Sequence, residues 1–79
     1  MEKDDVEFDP LFRELRKRVE TSLPFSMWEL DHGRVRFVRD TLEGRRYVFE
    51  TSYLLLIYSL HKAGVDRIIE EVKIQLELT

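Results

Sequence analysis

Over much of residues 26–50, apolar and polar side chains alternate around two turn signals. His32-Gly33 is typical of a two-residue hairpin turn, because glycine adopts a positive φ without strain. Leu42-Glu43-Gly44 is typical of a three-residue loop that ends in a left-handed glycine. Two short loops between alternating segments leave few possible folds, and they predict a three-stranded antiparallel meander.

The loop lengths also predict which residues lie opposite each other, because a shift of one residue moves every side chain of a strand to the other face. A two-residue turn pairs Trp28 with Phe37, and a three-residue loop pairs Phe37 with Phe49. We therefore expect one face to hold the core residues Trp28, Leu30, Val35, Phe37, Tyr47 and Phe49. We expect the other face to hold the charged residues Glu29, Asp31, Arg34, Arg36, Asp40, Arg46 and Glu50 around an apolar row of Met27, Val38 and Val48.

Five of the nine arginines lie within residues 33–49, which suggests an anion-binding surface. In the predicted register, however, three of them face acidic residues on neighbouring strands: Arg34 faces Asp31, Arg36 faces Glu29 and Glu50, and Arg46 faces Asp40. Such pairs contribute about 0.2–1 kcal/mol each and make the outer face nearly neutral. The other two stay at the hairpin tip, where Arg39 can lie over the ring of Tyr47.

Helical patterns flank the predicted meander. Asp9-Pro10 is typical of a helix start, and Pro24 predicts that this helix ends around residues 21–22. Thr51-Ser52 can cap a second helix, and Gly64 can end it.

The last segment, residues 65–79, fits two patterns. Helical spacing relates Val65, Ile68, Ile69, Val72 and Leu76, whereas residues 72–78 alternate as in a strand. We favour a strand from residue 72, because a helix exposes Ile74 and Leu78. A C-terminal helix is the alternative.

The predicted fold class is α+β in two layers. Its order is an N-terminal helix, a three-stranded antiparallel meander, a second helix and a C-terminal strand. We interpret residues 1–9 as an acidic, flexible tail and residues 10–79 as a single small domain.

Composition excludes several classes of protein. The chain has 79 residues and no cysteine, so disulfides and thiolate metal sites do not stabilise it. It has no asparagine and 37% charged residues, a thermophile-like trend. The net charge of −3 opposes non-specific binding to nucleic acids or anionic membranes. The acidic N-terminal residues and the short apolar runs lead us to expect a cytoplasmic protein.

The sequence contains none of the common catalytic motifs: no GxSxG, HExxH, P-loop or dinucleotide-binding glycine pattern. His32 and His61 are far apart, and there is no cysteine to complete a zinc site with them. We interpret His61 as a packed or boundary residue on a mostly apolar helix and His32 as a turn residue. We therefore expect no enzymatic activity, no cofactor and no metal site.

The predicted second helix, residues 52–63, has only a narrow polar strip. The apolar side chains of such a helix must be buried on more than one side, either by a partner protein or by the rest of this chain. The apolar row on the outer face of the sheet, framed by charges, has the general anatomy of an interface. We therefore favour a protein–protein interaction module, either a homodimer or an accessory subunit of a larger complex. The candidate interface residues are Met27, Val38, Val48, Tyr53, Leu56, Ile57 and Leu60.

The alternative hypothesis is nucleic-acid binding. Residues 10–64 contain ten basic and seven acidic residues, so this part of the chain is basic although the whole chain is acidic. Screening by salt limits how far the acidic ends can offset a basic patch. The candidate contacts on the first helix and at the hairpin tip are Arg13, Arg16, Lys17, Arg39 and Arg45.

Overall fold

The computed structural model describes residues 9–78, which form one helix, a three-stranded sheet and two further helices. The elements are α1 (Pro10–Ser22), β1 (Ser26–Leu30), β2 (Arg34–Asp40), β3 (Arg46–Ser52), α2 (Tyr53–Ala63) and α3 (Val65–Gln75). The sheet is an antiparallel meander with strand order β1-β2-β3. The predicted α+β class is therefore confirmed. Except for Asp9, the predicted acidic tail lies outside the described residues.

Helix α1 begins and ends where the sequence predicts. The carboxylate of Asp9 accepts hydrogen bonds from the amides of Leu11 and Phe12 at 3.0 and 3.1 Å. Pro10 takes the first helical position, where its missing N–H costs no hydrogen bond. The helix ends two residues before Pro24, which disfavours helical backbone in the residue before it. The buried stripe of α1 consists of Phe12, Leu15 and Val19.

A single glycine separates the last two helices. The hydroxyl of Ser52 accepts a hydrogen bond from the amide of Leu55 at 3.1 Å and caps α2. Gly64 ends α2 with a φ of +93°, as predicted. The chain then continues as α3, so the strand expected from residue 72 is wrong and the helical alternative is confirmed. The physical reason is burial, because the helix and its C-cap residue bring five apolar side chains into the core: Val65, Ile68, Ile69, Val72 and Leu76.

Strands β2 and β3 pair in the predicted register. Phe37 lies opposite Phe49, and Asp40 lies opposite Arg46. Gly44, in the loop between the strands, has a φ of +88°, the left-handed conformation that the predicted loop requires. The rings of Phe37 and Phe49 stack with centroids 6.1 Å apart on the helix-facing side of the sheet.

Strand β1 is shifted by one residue from the predicted register. Three residues, 31–33, separate it from β2 instead of two, so Glu29 lies opposite Val35 and Trp28 lies opposite Arg36. This shift moves every side chain of β1 to the face opposite the predicted one.

The turn between β1 and β2 shows why the shift occurs. His32 and Gly33 both have a positive φ, 65° and 68°, as the turn signal indicates. The carbonyl of Gly33 also accepts a hydrogen bond from the amide of Tyr53 at 2.8 Å, which extends the β2–β3 ladder by one pair. Gly33 therefore pairs with Tyr53 as a continuation of β2. Asp31 becomes an additional residue of the turn, which then has three residues instead of two.

The shifted register changes both faces of the sheet. Trp28 and Leu30 lie on the outer face, so their assignment to the core is wrong. Met27 and Glu29 lie on the helix-facing side instead, and Met27 leaves the predicted outer row. Phe25, which precedes β1, completes the core between the sheet and the three helices.

Candidate protein-interaction surface

Helix α2 exposes large apolar side chains on one side. Leu54, Leu55 and Tyr58 are 79%, 58% and 61% exposed; together they are called the α2 face below. Helices α1 and α3 both pack against other sides of α2. Part of the apolar surface of α2 is therefore buried within the chain. Among the described residues, the α2 face is the part of this apolar surface that remains exposed.

The structure divides the seven predicted interface residues into three groups. Two belong to the core of the same chain and are inaccessible from outside: Leu56 and Leu60. Three are partly buried against that core: Met27, Tyr53 and Ile57. Two lie side by side on the outer face of the sheet, the first buried and the second half-exposed: Val38 and Val48.

A groove of about 400 Å³ lies between α2 and α3, beside the α2 face. Leu55 and Tyr58 contribute from α2, and Ile68 contributes from α3. Phe49 and Thr51 line it from β3, and within the described residues no other strand does so. The groove therefore lies on the β3 side of the helical layer.

The outer edge of β3 is unpaired, because within residues 9–78 this strand has a neighbour only in β2. The amide of Thr41 donates to the carbonyl of Arg45 at 2.9 Å, and the amide of Tyr53 donates to that of Gly33 at 2.8 Å. Since hydrogen-bonded positions alternate, the odd-numbered residues of β3 turn their backbone groups toward β2. Four residues of β3 therefore turn their N–H and C=O groups toward the free edge: Arg46, Val48, Glu50 and Ser52.

Ion pairs connect the strands on the outer face. Guanidinium nitrogens of Arg36 and Arg34 lie 2.6 and 3.2 Å from the carboxylate of Glu50. The Nε of Arg46 donates to Asp40 at 2.7 Å. The hydrogen bond from Arg36, together with that from Arg34, lowers the pKa of Glu50, and the hydrogen bond from Arg46 lowers the pKa of Asp40. The outer-face arginines thus have acidic partners, as the sequence predicts for Arg36 and Arg46.

The pairs predicted between β1 and β2 are not present. Arg34 bonds to Glu50 and not to Asp31, and Glu29 lies on the helix-facing side, where Arg16 is its ion-pair partner. The outer faces of β2 and β3 therefore combine three arginines with two acids.

The shifted register also exposes a tryptophan that sequence reasoning placed in the core. Trp28 is 58% exposed, and its indole N–H donates to the hydroxyl of Ser26 at 2.9 Å. Trp28 and Val38 line a shallow depression on the outer face. An exposed tryptophan in a small domain adds a second apolar element to the surface.

Three of the five basic residues considered for nucleic-acid binding make side-chain contacts within the chain. Arg16 pairs with Glu29. Arg39 donates to two backbone carbonyls just after α3, at 2.9 and 2.8 Å. Its guanidinium also lies 4.8 Å from the ring centre of Tyr47, which confirms the predicted contact. Arg45 is exposed and donates to the hydroxyl of Tyr47 at 3.5 Å. The other two side chains, Arg13 and Lys17, are exposed.

The histidines occupy structural positions. The Nε2 of His61 lies 2.7 Å from a carboxylate oxygen of Asp9, and this contact links α2 to the start of α1. Residues 9–78 contain no group of three or more His, Cys, Asp or Glu side chains that could hold a metal ion. In the same part of the chain, none of the helices combines the length and the apolar character needed to cross a membrane.

No family model, no curated protein and no solved structure matches the chain. A proposal of function therefore rests on three structural features: the α2 face, the adjoining groove and the free edge of β3.

Proposed function

We propose that this chain is a small, non-enzymatic protein–protein interaction module that acts as a homodimer. The α2 face is the observation that carries the proposal, because it exposes three large apolar side chains on one helix. An exposed apolar patch on a small domain marks an interaction surface. The groove and the free edge of β3 extend this surface beyond a single helix.

An accessory subunit of a larger complex is the other form of the same function. In that form the α2 face would bind a different chain. The free edge of β3 carries both an arginine, Arg46, and a glutamate, Glu50, so two copies of this edge can pair opposite charges. This favours the homodimer.

Sedimentation equilibrium tests the homodimer. We expect a mass twice the 9.6 kDa of one chain at micromolar concentrations. Leu55→Glu should restore the monomer, because it places a carboxylate in the apolar surface. The substitution suits the fold, since a glutamate three residues after Ser52 completes a capping box at the start of α2.

Leu42→Glu is the matched control, because Leu42 is fully exposed in the loop between β2 and β3. This variant should sediment as the wild type does. A wild-type mass of one chain at high micromolar concentration would exclude the homodimer and leave the accessory-subunit form.

A further inference from the structure

We propose that the second copy adds its β3 to the free edge of this β3, in antiparallel orientation about a two-fold axis through Val48. The two three-stranded sheets then form one sheet of six strands. This inference rests on the proposed homodimer and identifies the contact that forms it. An unpaired strand edge is a template for a further strand, and most homodimers place identical surfaces around a two-fold axis.

The backbone of β3 permits this pairing. In an antiparallel pair, residues whose N–H and C=O groups point outward must lie opposite one another. The outward-pointing residues of β3 are Arg46, Val48, Glu50 and Ser52, the last of which also caps α2. An axis through Val48 places Val48 opposite its own copy and Arg46 opposite Glu50 of the second copy.

Charge selects this register among those that the backbone permits. With the axis at Val48, both outer pairs join an arginine to a glutamate, and opposite charges across strands are stabilising. An axis at residue 46 or residue 50 places like charges opposite each other. An axis at residue 47 or residue 49 places a charge opposite Val48. Charged residues on an edge strand normally prevent two edges from pairing. In this strand the charges of Arg46 and Glu50 are complementary when the axis lies at Val48.

The helix-facing side fits the same arrangement. Tyr47 lies opposite Phe49 of the second copy, and aromatic pairs across strands are stabilising. Phe49 also lines the groove between α2 and α3. Strand pairing at β3 therefore brings the second copy next to the groove and to the exposed Leu55 and Tyr58.

The other edge of the sheet lacks these features. β1 has five residues, whereas β3 has seven. By the same alternation, the outward-pointing residues of β1 are Met27 and Glu29, so self-pairing would place an apolar side chain opposite a charge. The carboxylate of Glu29 is also engaged by Arg16 and Tyr53.

A single cysteine tests the axis. The chain has no cysteine of its own, so Val48→Cys introduces one thiol per chain at a half-exposed position. Directly opposite residues of this kind have Cα atoms about 5.5 Å apart, but their Cβ atoms are also about 5.5 Å apart, which is too far for a relaxed disulfide. A short bismaleimide crosslinker spans this distance, and with it we expect most of the Val48→Cys protein to form a covalent dimer. Leu42→Cys, in the exposed loop, is the control and should stay largely uncrosslinked at the same concentration.

Val48→Lys tests the pairing without a crosslink. It places two ammonium groups opposite each other at the axis, so the dissociation constant of the dimer should rise roughly tenfold or more. Leu42→Lys should leave the constant unchanged, and circular dichroism verifies that both variants fold.

The outcomes separate the two proposals. If Val48→Cys does not crosslink and Val48→Lys dimerises normally while Leu55→Glu dissociates, the homodimer stands and the strand pairing is overturned. A wild-type monomer at high micromolar concentration overturns both proposals.

Discussion

The carboxylate of Glu29 in β1 accepts a hydrogen bond from the hydroxyl of Tyr53 at the start of α2. The other oxygen of the same carboxylate pairs with the guanidinium of Arg16 in α1. One acidic side chain thus joins the sheet to two helices. It does so from the side of the sheet opposite to the one the sequence pattern predicts.

We expect Glu29→Ala to lower the free energy of unfolding by about 1–2 kcal/mol, because Tyr53 and Arg16 both lose a charged acceptor. Glu29→Gln keeps an acceptor for Tyr53 but removes the charge beside Arg16, so its loss should be smaller. Urea unfolding followed by circular dichroism measures both changes. A Glu29→Ala variant as stable as the wild type would show that this contact contributes nothing.

Arg39 binds the C-terminal end of α3, where its guanidinium donates to the carbonyls of Leu76 and Glu77. We expect Arg39→Ala to lower the free energy of unfolding by about 1–3 kcal/mol, because hydrogen bonds from a charged donor and the contact with Tyr47 are lost. Hydrogen exchange at the last amides of α3 should accelerate as well.

Arg13→Ala is the control for Arg39→Ala, because Arg13 is an exposed arginine on α1. It should change the free energy of unfolding by no more than about 0.5 kcal/mol. Equal losses in the two variants would argue against a specific role for Arg39 at the end of α3.

Stability should fall in acid, because Asp9, Asp40 and Glu50 each have a lowered pKa in the folded protein. For Asp9, burial raises the pKa, but the hydrogen bond with His61 and those from two backbone amides outweigh it. A carboxyl with a lowered pKa binds its proton more readily in the unfolded chain. Its contribution is therefore complete above about pH 5 and is lost progressively as the pH falls further. Urea unfolding at stepped pH should show this decline below about pH 5.

Two substitutions at Asp9 separate its cap from its charge. Asp9→Ala removes the cap of α1 and should cost about 1 kcal/mol. Asp9→Asn keeps an acceptor for the helix amides but does not titrate, so its stability should decline less steeply in acid than that of the wild type. An Asp9→Asn curve parallel to the wild-type curve would show that Asp9 makes no contribution to the pH dependence.

The sheet shows how far local sequence patterns predict this fold. Gly44 determines the β2–β3 register, because a three-residue loop ending in a left-handed glycine permits only one. The His32-Gly33 signal does not determine the register of β1 in the same way, because both residues keep their positive φ in a turn lengthened by Asp31 and either register buries apolar side chains of that segment. The contact that distinguishes the two registers joins Glu29 to Tyr53, 24 positions away. It is a tertiary contact that local patterns do not contain.

The candidate surface was predicted only in part for a similar reason. The sequence shows that the helix ending at Gly64 has too little polar surface, and the structure confirms exposed apolar residues there. Which side stays open depends on where α1 and α3 pack. Periodicity therefore pointed to Leu56 and Leu60, which are buried, instead of Leu55 and Tyr58.

We expect no binding to labelled single-stranded DNA or RNA, even at about 50 mM salt where phosphate contacts are strongest. Arg16 and Arg39 are engaged within the chain, and the outer-face arginines pair with acids. Fluorescence anisotropy at two salt concentrations measures this. Binding that weakens steeply with salt and is lost in Arg13→Ala/Lys17→Ala would instead support the nucleic-acid hypothesis.

The central claim is that two copies pair through β3, and an isotope-filtered NOE measurement on mixed labelled and unlabelled chains tests it most directly. In the proposed register, Tyr47 and Phe49 of the second copy form a non-hydrogen-bonded pair with Cα atoms about 4.5 Å apart. We expect a strong intermolecular signal between the Hα protons of these two residues. A mixed sample that dimerises without this signal, or with intermolecular contacts confined to residues outside β3, would contradict the claim.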